Sequence, residues 1–566
     1  MLKKNYLPLL LTAVILTLFT ACSSKLKPLA ADYIQATPQP LELVAGKVPV
    51  TINMTFPANW FDQKATLTVI PVLRYEGGEA WGESYTFQGE KVSGNGQVVP
   101  KKTGANAVLK SSFDYVPAMQ SSQLYLTFKT KVGSKSVQLP DVKIADGVLA
   151  TAGLLDAGSE NPAIAPDKFQ RIIKEAHDAN ILFLIQQAEL RSSELKKGAI
   201  TDWKKTVKNA NEAPNQSVDI EISSYASPDG GYQLNEKLAE KRETNTKSYL
   251  SKDLNKEKVN APINARYTAQ DWEGFKELVE KSNIQDKDLI LRVLSMYSDS
   301  EQREREIKNI SSVFNVLADE ILPQLRRSRL TANVQIIGKS DEEIASLSTS
   351  NPKSLTVEEL LYAATLAKTD AQKASIYETA TKLFPNDPRG FNNLGVIEYA
   401  KGNIAQAETL FNKANQLAGS LPEANLNLGF TALTKGDKAQ AEEYFGKAAG
   451  VGQMNNAVGY LAALNGNYAQ AAQSYGNTVS NNAALAQILN KDYNKAQNIL
   501  DAVAQPDATT SYLKAIVGAR TNNLNTVVSN LKTAVRMNPD LATKAIKDVE
   551  FAKYIGDSKF LDAVVK

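Results

Sequence analysis

Residues 224–250 read SYASPDGGYQLNEKLAEKRETNTKSYL, and the rest of the central region is organised around them. Just before this stretch, Val218-Asp219-Ile220-Glu221-Ile222 alternates apolar and charged residues, the period of a strand with one buried face. Pro228-Asp229-Gly230-Gly231 then breaks the strand. Beyond the turn, Leu234, Leu238 and Tyr249-Leu250 fall roughly on one helical stripe, with Glu236, Lys237, Glu240, Lys241 and Glu243 mostly opposite. Asn245 interrupts the stripe. The stretch therefore predicts strand, turn and half-buried helix.

Asn235-x-x-Leu238-Ala239-x-x-Arg242 followed by Tyr249-Leu250 resembles the N-x-x-L-S-x-x-R…Y-L signature of the OmpA-like, peptidoglycan-associated domain. Upstream, Phe183-Leu-Ile-Gln-Gln-Ala188-Glu189-Leu190-Arg191 is similar to that family's first strand and turn. The resemblance covers residues 170–340 and implies an α+β domain. In the family a loop Asp and a helix Arg, fifteen positions apart, grip the diaminopimelate of peptidoglycan. Here the Arg falls on Arg242 and the Asp position holds Ser227. A guanidinium fork suits a carboxylate, whereas a serine brings no charge for an ammonium. Asp229, two residues on in the same turn, is the candidate replacement, and Asn235 opens the motif. The other reading makes Arg242 a solvated helix residue and the turn merely tight, its glycines at positive φ.

Strands are expected at 181–185, 218–224, 263–267 and 332–337, and helices at 201–211 and 233–251. Residues 268–329 form an insertion with no place in the minimal pattern, helical over 271–281, 286–297 and 301–322 by period and acidic starts. Its end carries Arg326, Arg327 and Arg329, a candidate anion-binding cluster or one offset by neighbouring acids.

The 566 residues exceed what one core can hold, and the 43% apolar and 22% charged shares are those of soluble globular domains. A net charge of +3 gives no reason to expect nucleic acid as a partner. The single cysteine excludes a disulfide framework. It follows a basic start and an apolar run from Leu7 to Phe19 that is too short for a typical membrane span. Phe19-Thr20-Ala21-Cys22 resembles a bacterial lipobox, which implies a signal peptide over 1–21 and acylation of Cys22, palmitate among the chains. The lipid would anchor the chain to the outer membrane. No acid follows Cys22 until Asp32, which favours the periplasmic face.

After a short linker over 22–33, residues 34–148 read as an all-β, immunoglobulin-like sandwich, with Val50, Ile52, Met54 and Phe56 alternating against polar residues. Trp60 and Trp81 are assigned to its core. A Gly- and Ala-containing linker from Ala150 leads into the central domain. A polar linker is expected over 340–354. Beyond it, Leu394-Gly395, Gly402, Ala407, Phe411 and Ala414 recur as Leu428-Gly429, Gly436, Ala441, Phe445 and Ala448, each thirty-four residues on. That spacing resembles tetratricopeptide repeats and implies an all-α solenoid of about five or six repeats over 356–566. Such grooves bind extended peptides or proteins. Asn392, Asn393, Asn425 and Asn427 are the candidate groove contacts, or simply polar surface.

His177 is the only histidine, so Ser-His-Asp, Cys-His and multi-histidine metal sites are not expected, nor are a cofactor or an enzymatic role. The combination is similar to Gram-negative envelope lipoproteins of Bacteroidetes type. It implies a scaffold joining membrane, peptidoglycan and protein partners, or else a protein-binding assembly factor for a surface structure or transport machine whose central domain no longer binds the wall.

Overall fold

The computed structural model describes residues 26–285, 287–309 and 311–565. The leader and Cys22 lie outside them. The chain forms two compact units: one runs to Pro166 and resumes at Lys373, and the other is Asp167–Gln372.

The first unit begins with two sheets over a shared core. Ile34–Thr37, Lys47–Phe56 and Ala105–Asp114 pair antiparallel in one sheet. The other is built on Ala65–Tyr75 and Ser122–Val132. Alternation along Lys47–Phe56 turns Val50, Ile52, Met54 and Phe56 inward against Leu67, Val69, Leu109 and Leu124. Trp60 stacks on Phe56 at 5.7 Å. Trp81, expected in the core, is instead 55% exposed on the short strand Gly78–Trp81, where its indole donates to Glu79.

The unit resumes as five helical hairpins: Pro388–Ala400 with Ile404–Ala418, Pro422–Thr434 with Lys438–Gly446, Met454–Leu464 with Tyr468–Tyr475, Asn481–Leu489 with Tyr493–Ala502, and Ala508–Arg520 with Leu524–Met537. The thirty-four-residue spacing has a steric cause. A Cβ on Gly395 would lie 2.6 Å from the Phe411 ring, and one on Gly429 would lie 2.3 Å from Phe445. Only glycine lets the two helices approach over an aromatic ring. Gly402, Gly436 and Gly466 close the first three hairpins at φ near +80°. Lys491 and Asn522 hold the same left-handed conformation in the last two, which is why those hairpins escape the repeat pattern. Sandwich and solenoid are joined within the unit: the Tyr468 hydroxyl donates to the Leu43 carbonyl at 3.3 Å, and buried Glu550 takes two 2.7 Å bonds from Arg520 and one from Thr151.

The second unit is a four-stranded sheet in the order Ile172–Leu182, Arg327–Ile337, Gln216–Tyr225, Ile263–Thr268. The last two are parallel and joined through the long helix Tyr232–Lys256; the other neighbours are antiparallel. Val218, Ile220, Leu330, Ala332 and Val334 form the buried face with Trp203, Val207, Leu250 and Leu254 from the helices Gly198–Glu212 and Tyr232–Lys256. The first strand precedes the expected 181–185 because Ile172–His177 is largely exposed and shows no alternation. The insertion has its own core, including Phe275, Val279, Ile290, Leu294 and Leu325. The helix expected over 301–322 is divided: Ser300–Asn309 and Ser311–Val316 are followed by a π-turn, Leu317–Ile321, ahead of Pro323, which lacks a backbone donor. The expected linker at 340–354 contains a helix, Asp341–Ser350, capped by the Ser340 hydroxyl.

Candidate functional site

The Tyr232–Lys256 helix does not bury the stripe its leucines suggest. Leu234 is 48% exposed, and the inward line is Asn235, Ala239, Arg242, Thr246, Leu250 and Leu254. Its first half is polar because it faces backbone. The Asn235 amide donates to the carbonyls of Ser227 (3.0 Å) and Gly230 (2.7 Å) and so staples the Pro228–Gly231 turn. Gly230 serves this close approach, and neither it nor Gly231 has positive φ. Asn245 likewise donates to the Ala188 carbonyl at 2.9 Å.

Arg242, expected to offer its fork to a carboxylate or to solvent, does neither. It is 1% exposed and donates to three carbonyls: Nη1 to Tyr225 (2.8 Å), Nε to Gln187 (2.9 Å) and Nη2 to Leu184 (3.3 Å). The guanidinium ties the 183–190 loop to the end of the central strand. Burial, with the nearby charge of Arg326, pushes its pKa down to about 10. Asp229 is also engaged: Arg326 Nη2 lies 3.1 Å from one carboxylate oxygen, and the Ser227 hydroxyl donates to the other. Ser227, Asp229, Asn235, Arg242 and Arg326 thus line one pocket of about 70 Å³, in which Asp229 faces Arg326. Arg327 pairs with Asp271 at 3.0 Å and Arg329 with Asp178 at 2.9 Å, so all three arginines of the cluster have carboxylate partners. His177 contacts Glu175 at 3.2 Å, and among the described residues no group of His, Cys, Asp and Glu is placed to hold a metal.

The solenoid asparagines lie in a different kind of site, and it is filled. Residues 156–166, which read as a linker, run along the first helices of the hairpins. Asn427 brackets Ala163, taking its N–H at 2.6 Å and donating to its carbonyl at 2.9 Å. Asn393 does the same for Ala165, at 2.8 and 2.9 Å. Asn482 does so for Asp156, at 3.1 and 2.7 Å. Asn392 adds a donor to the Ala163 carbonyl at 3.0 Å, and the Tyr399 hydroxyl donates to that of Ala157 at 2.6 Å. Asn425 is not a groove residue: it is buried against the preceding hairpin, bonded to Asn415 of the helix Ile404–Ala418 and to Ser420 and the Leu421 carbonyl in the connection between the two hairpins.

The segment's side chains fit the same groove. Ala157, Ala163 and Ala165 are buried, Ile164 points outward, and Glu160 is 4% exposed. Its carboxyl accepts from the Tyr475 hydroxyl at 2.6 Å and from the Asn482 amide at 2.8 Å. No cation is among these contacts, and burial pushes the Glu160 pKa up to about 7 against the pull of those two donors. Asn393 and Asn427 are one repeat apart, a signal that marks them as equivalent. Glu160 and Asn482 went unrecognised in the sequence, and Arg326 was picked out for its charge but not for its pairing with Asp229. An acid in a stretch of mostly small residues is the only hint of the first.

A tetratricopeptide-repeat family profile matches residues 422–451, the second hairpin with its following turn. The C-terminal region carries a tetratricopeptide repeat. No curated protein matches the chain. Among solved structures, a tetratricopeptide repeat protein from Parabacteroides merdae ATCC 43184 is 15% identical, covering 36% of this chain and 88% of its own, with a TM-score of 0.27. YrrB, described as a tetratricopeptide protein with an unusual peptide-binding site, is 15% identical over 36% of this chain and 99% of its own, at a TM-score of 0.19. PilW, a type IV pilus biogenesis factor, is 16% identical over 39% and 87%, at 0.21.

Proposed function

We propose that this chain is a lipid-anchored assembly factor of the outer membrane. Cys22 carries the anchor, the central domain is an OmpA-like fold that no longer grips peptidoglycan, and the solenoid mediates protein contacts. The observation that carries this reading is the ladder of asparagines on the solenoid, which holds an extended peptide by its backbone. Tetratricopeptide solenoids are suited to this because stacked hairpins present repeated side chains along one groove. The parallel strand pair joined by the Tyr232–Lys256 helix supports the OmpA-like assignment. Loss of wall binding is supported by Ser227, by the Asp229–Arg326 pair and by the three carbonyls that occupy Arg242.

Sedimentation with purified peptidoglycan sacculi tests this directly. Residues 23–566 are expected to stay in the supernatant under conditions that pellet a wall-binding control. Co-sedimentation that is lost on Asp229→Ala would overturn the proposal and restore the wall-scaffold reading.

A further inference from the structure

The segment docked in the solenoid identifies what the groove selects. Recognition falls on the N–H and C=O groups of Asp156, Ala163 and Ala165; a 3-10 turn, Ala157–Ser159, follows the first, and the peptide is free of helical turns from Glu160 to Pro166, where the two alanines are bracketed. Pro162 and Pro166 flank the bracketed alanines and hold φ near the extended value without presenting an N–H. Ala163 and Ala165 are 1% and 2% exposed, which leaves no room for larger side chains, whereas Ile164 between them is 41% exposed and unconstrained. Glu160 meets two neutral donors, Tyr475 and Asn482, at the acid position. The resulting pattern is acid-x-Pro-small-x-small-Pro.

We propose that the groove is a peptide site for this pattern, held in cis by Glu160–Pro166, and that a protein partner bearing the same pattern binds by displacing that segment. This rests on the protein-binding reading above. A tethered segment acts at an effective concentration near the millimolar range, so a free peptide competes poorly until the segment is released.

The test uses a fluorescein-labelled peptide of residues 155–168 and the soluble chain 23–566. Ala163→Trp with Ala165→Trp expels the cis segment; Glu160→Lys is the second variant should the tryptophan pair impair folding. Anisotropy is expected to show binding to either folded variant on the order of 100-fold tighter than to the unmodified chain. Adding Asn393→Ala and Asn427→Ala should abolish it. A folded variant that ignores the peptide, or binds it independently of the asparagines, overturns the proposal, as does a dimer in which two copies exchange the segment. Partner binding through another surface would leave the protein-binding reading standing while this inference fails, so the two are separable.

Discussion

Arg242→Ala should destabilise the four-stranded sheet of the central unit by about 3 kcal/mol or more, because it takes the guanidinium donors from the Tyr225 and Gln187 carbonyls, leaves that of Leu184 with the Gln187 N–H alone, and opens a cavity beside Phe183. Arg242→Lys should recover only part of this, since a single ammonium cannot serve three carbonyls in a plane. Native-state amide exchange on Val218–Ile222 and Leu330–Val334 measures the opening free energy of this sheet without requiring the whole chain to unfold in one step. An exposed or ligand-gripping arginine would behave differently: the alanine variant would stay within about 0.5 kcal/mol of the parent and lose only a binding activity. The Leu184 and Gln187 carbonyls belong to the 183–190 loop and that of Tyr225 to the end of the central strand, so the loss should appear on both sides of the junction the guanidinium makes.

The second large effect is on pH dependence. Glu160 has its pKa raised in the folded chain from the ordinary 4.5 to about 7. A carboxyl raised on folding stabilises fully below its unfolded pKa, and that contribution is lost as pH rises through the folded value. Between pH 4.5 and about 7, docking of the 156–166 segment should therefore weaken by about 3 kcal/mol, at 1.36 kcal/mol per pKa unit. The groups facing Glu160 are Tyr475, Asn482, Asp156, Tyr399 and Tyr460, and none is a cation that would reverse the sign. Glu160→Gln keeps an acceptor for Tyr475 and Asn482 and should flatten this part of the profile. Asp548 is also raised by burial and titrates in both proteins, so the difference between parent and variant isolates Glu160. Profiles that coincide across this range would contradict the assignment.

What could be read in the sequence follows from how each element is recognised. The hairpins were legible because Gly395 and Gly429 meet Phe411 and Phe445 at fixed spacing, a side-chain pattern written twice. The core strands were legible where one face is buried, as at Val218–Ile222. The exposed edge strand from Ile172 lacks that contrast, and only its end was found. Leu234 and Leu238 suggested the wrong face for the start of the long helix because Asn235, Arg242 and Thr246 are buried for their hydrogen bonds, a choice hydropathy does not register. The groove segment was read as a linker for a related reason. Asn393, Asn427 and Asn482 hold its backbone, and backbone recognition leaves almost no signature in the recognised residues. The fit of Arg326 to Asp229, ninety-seven residues away, is a property of the fold alone.

The most direct test of the occupied groove is hydrogen exchange at the Ala163 and Ala165 amides in the intact soluble chain at pH 5 to 6. Both donate to buried asparagine oxygens, so each should exchange at least about 1,000-fold more slowly than in the free 155–168 peptide, with Asn427→Ala releasing Ala163 first. Exchange at the free-peptide rate, while the helices Pro388–Ala400 and Pro422–Thr434 remain protected, would show an empty groove and contradict the account.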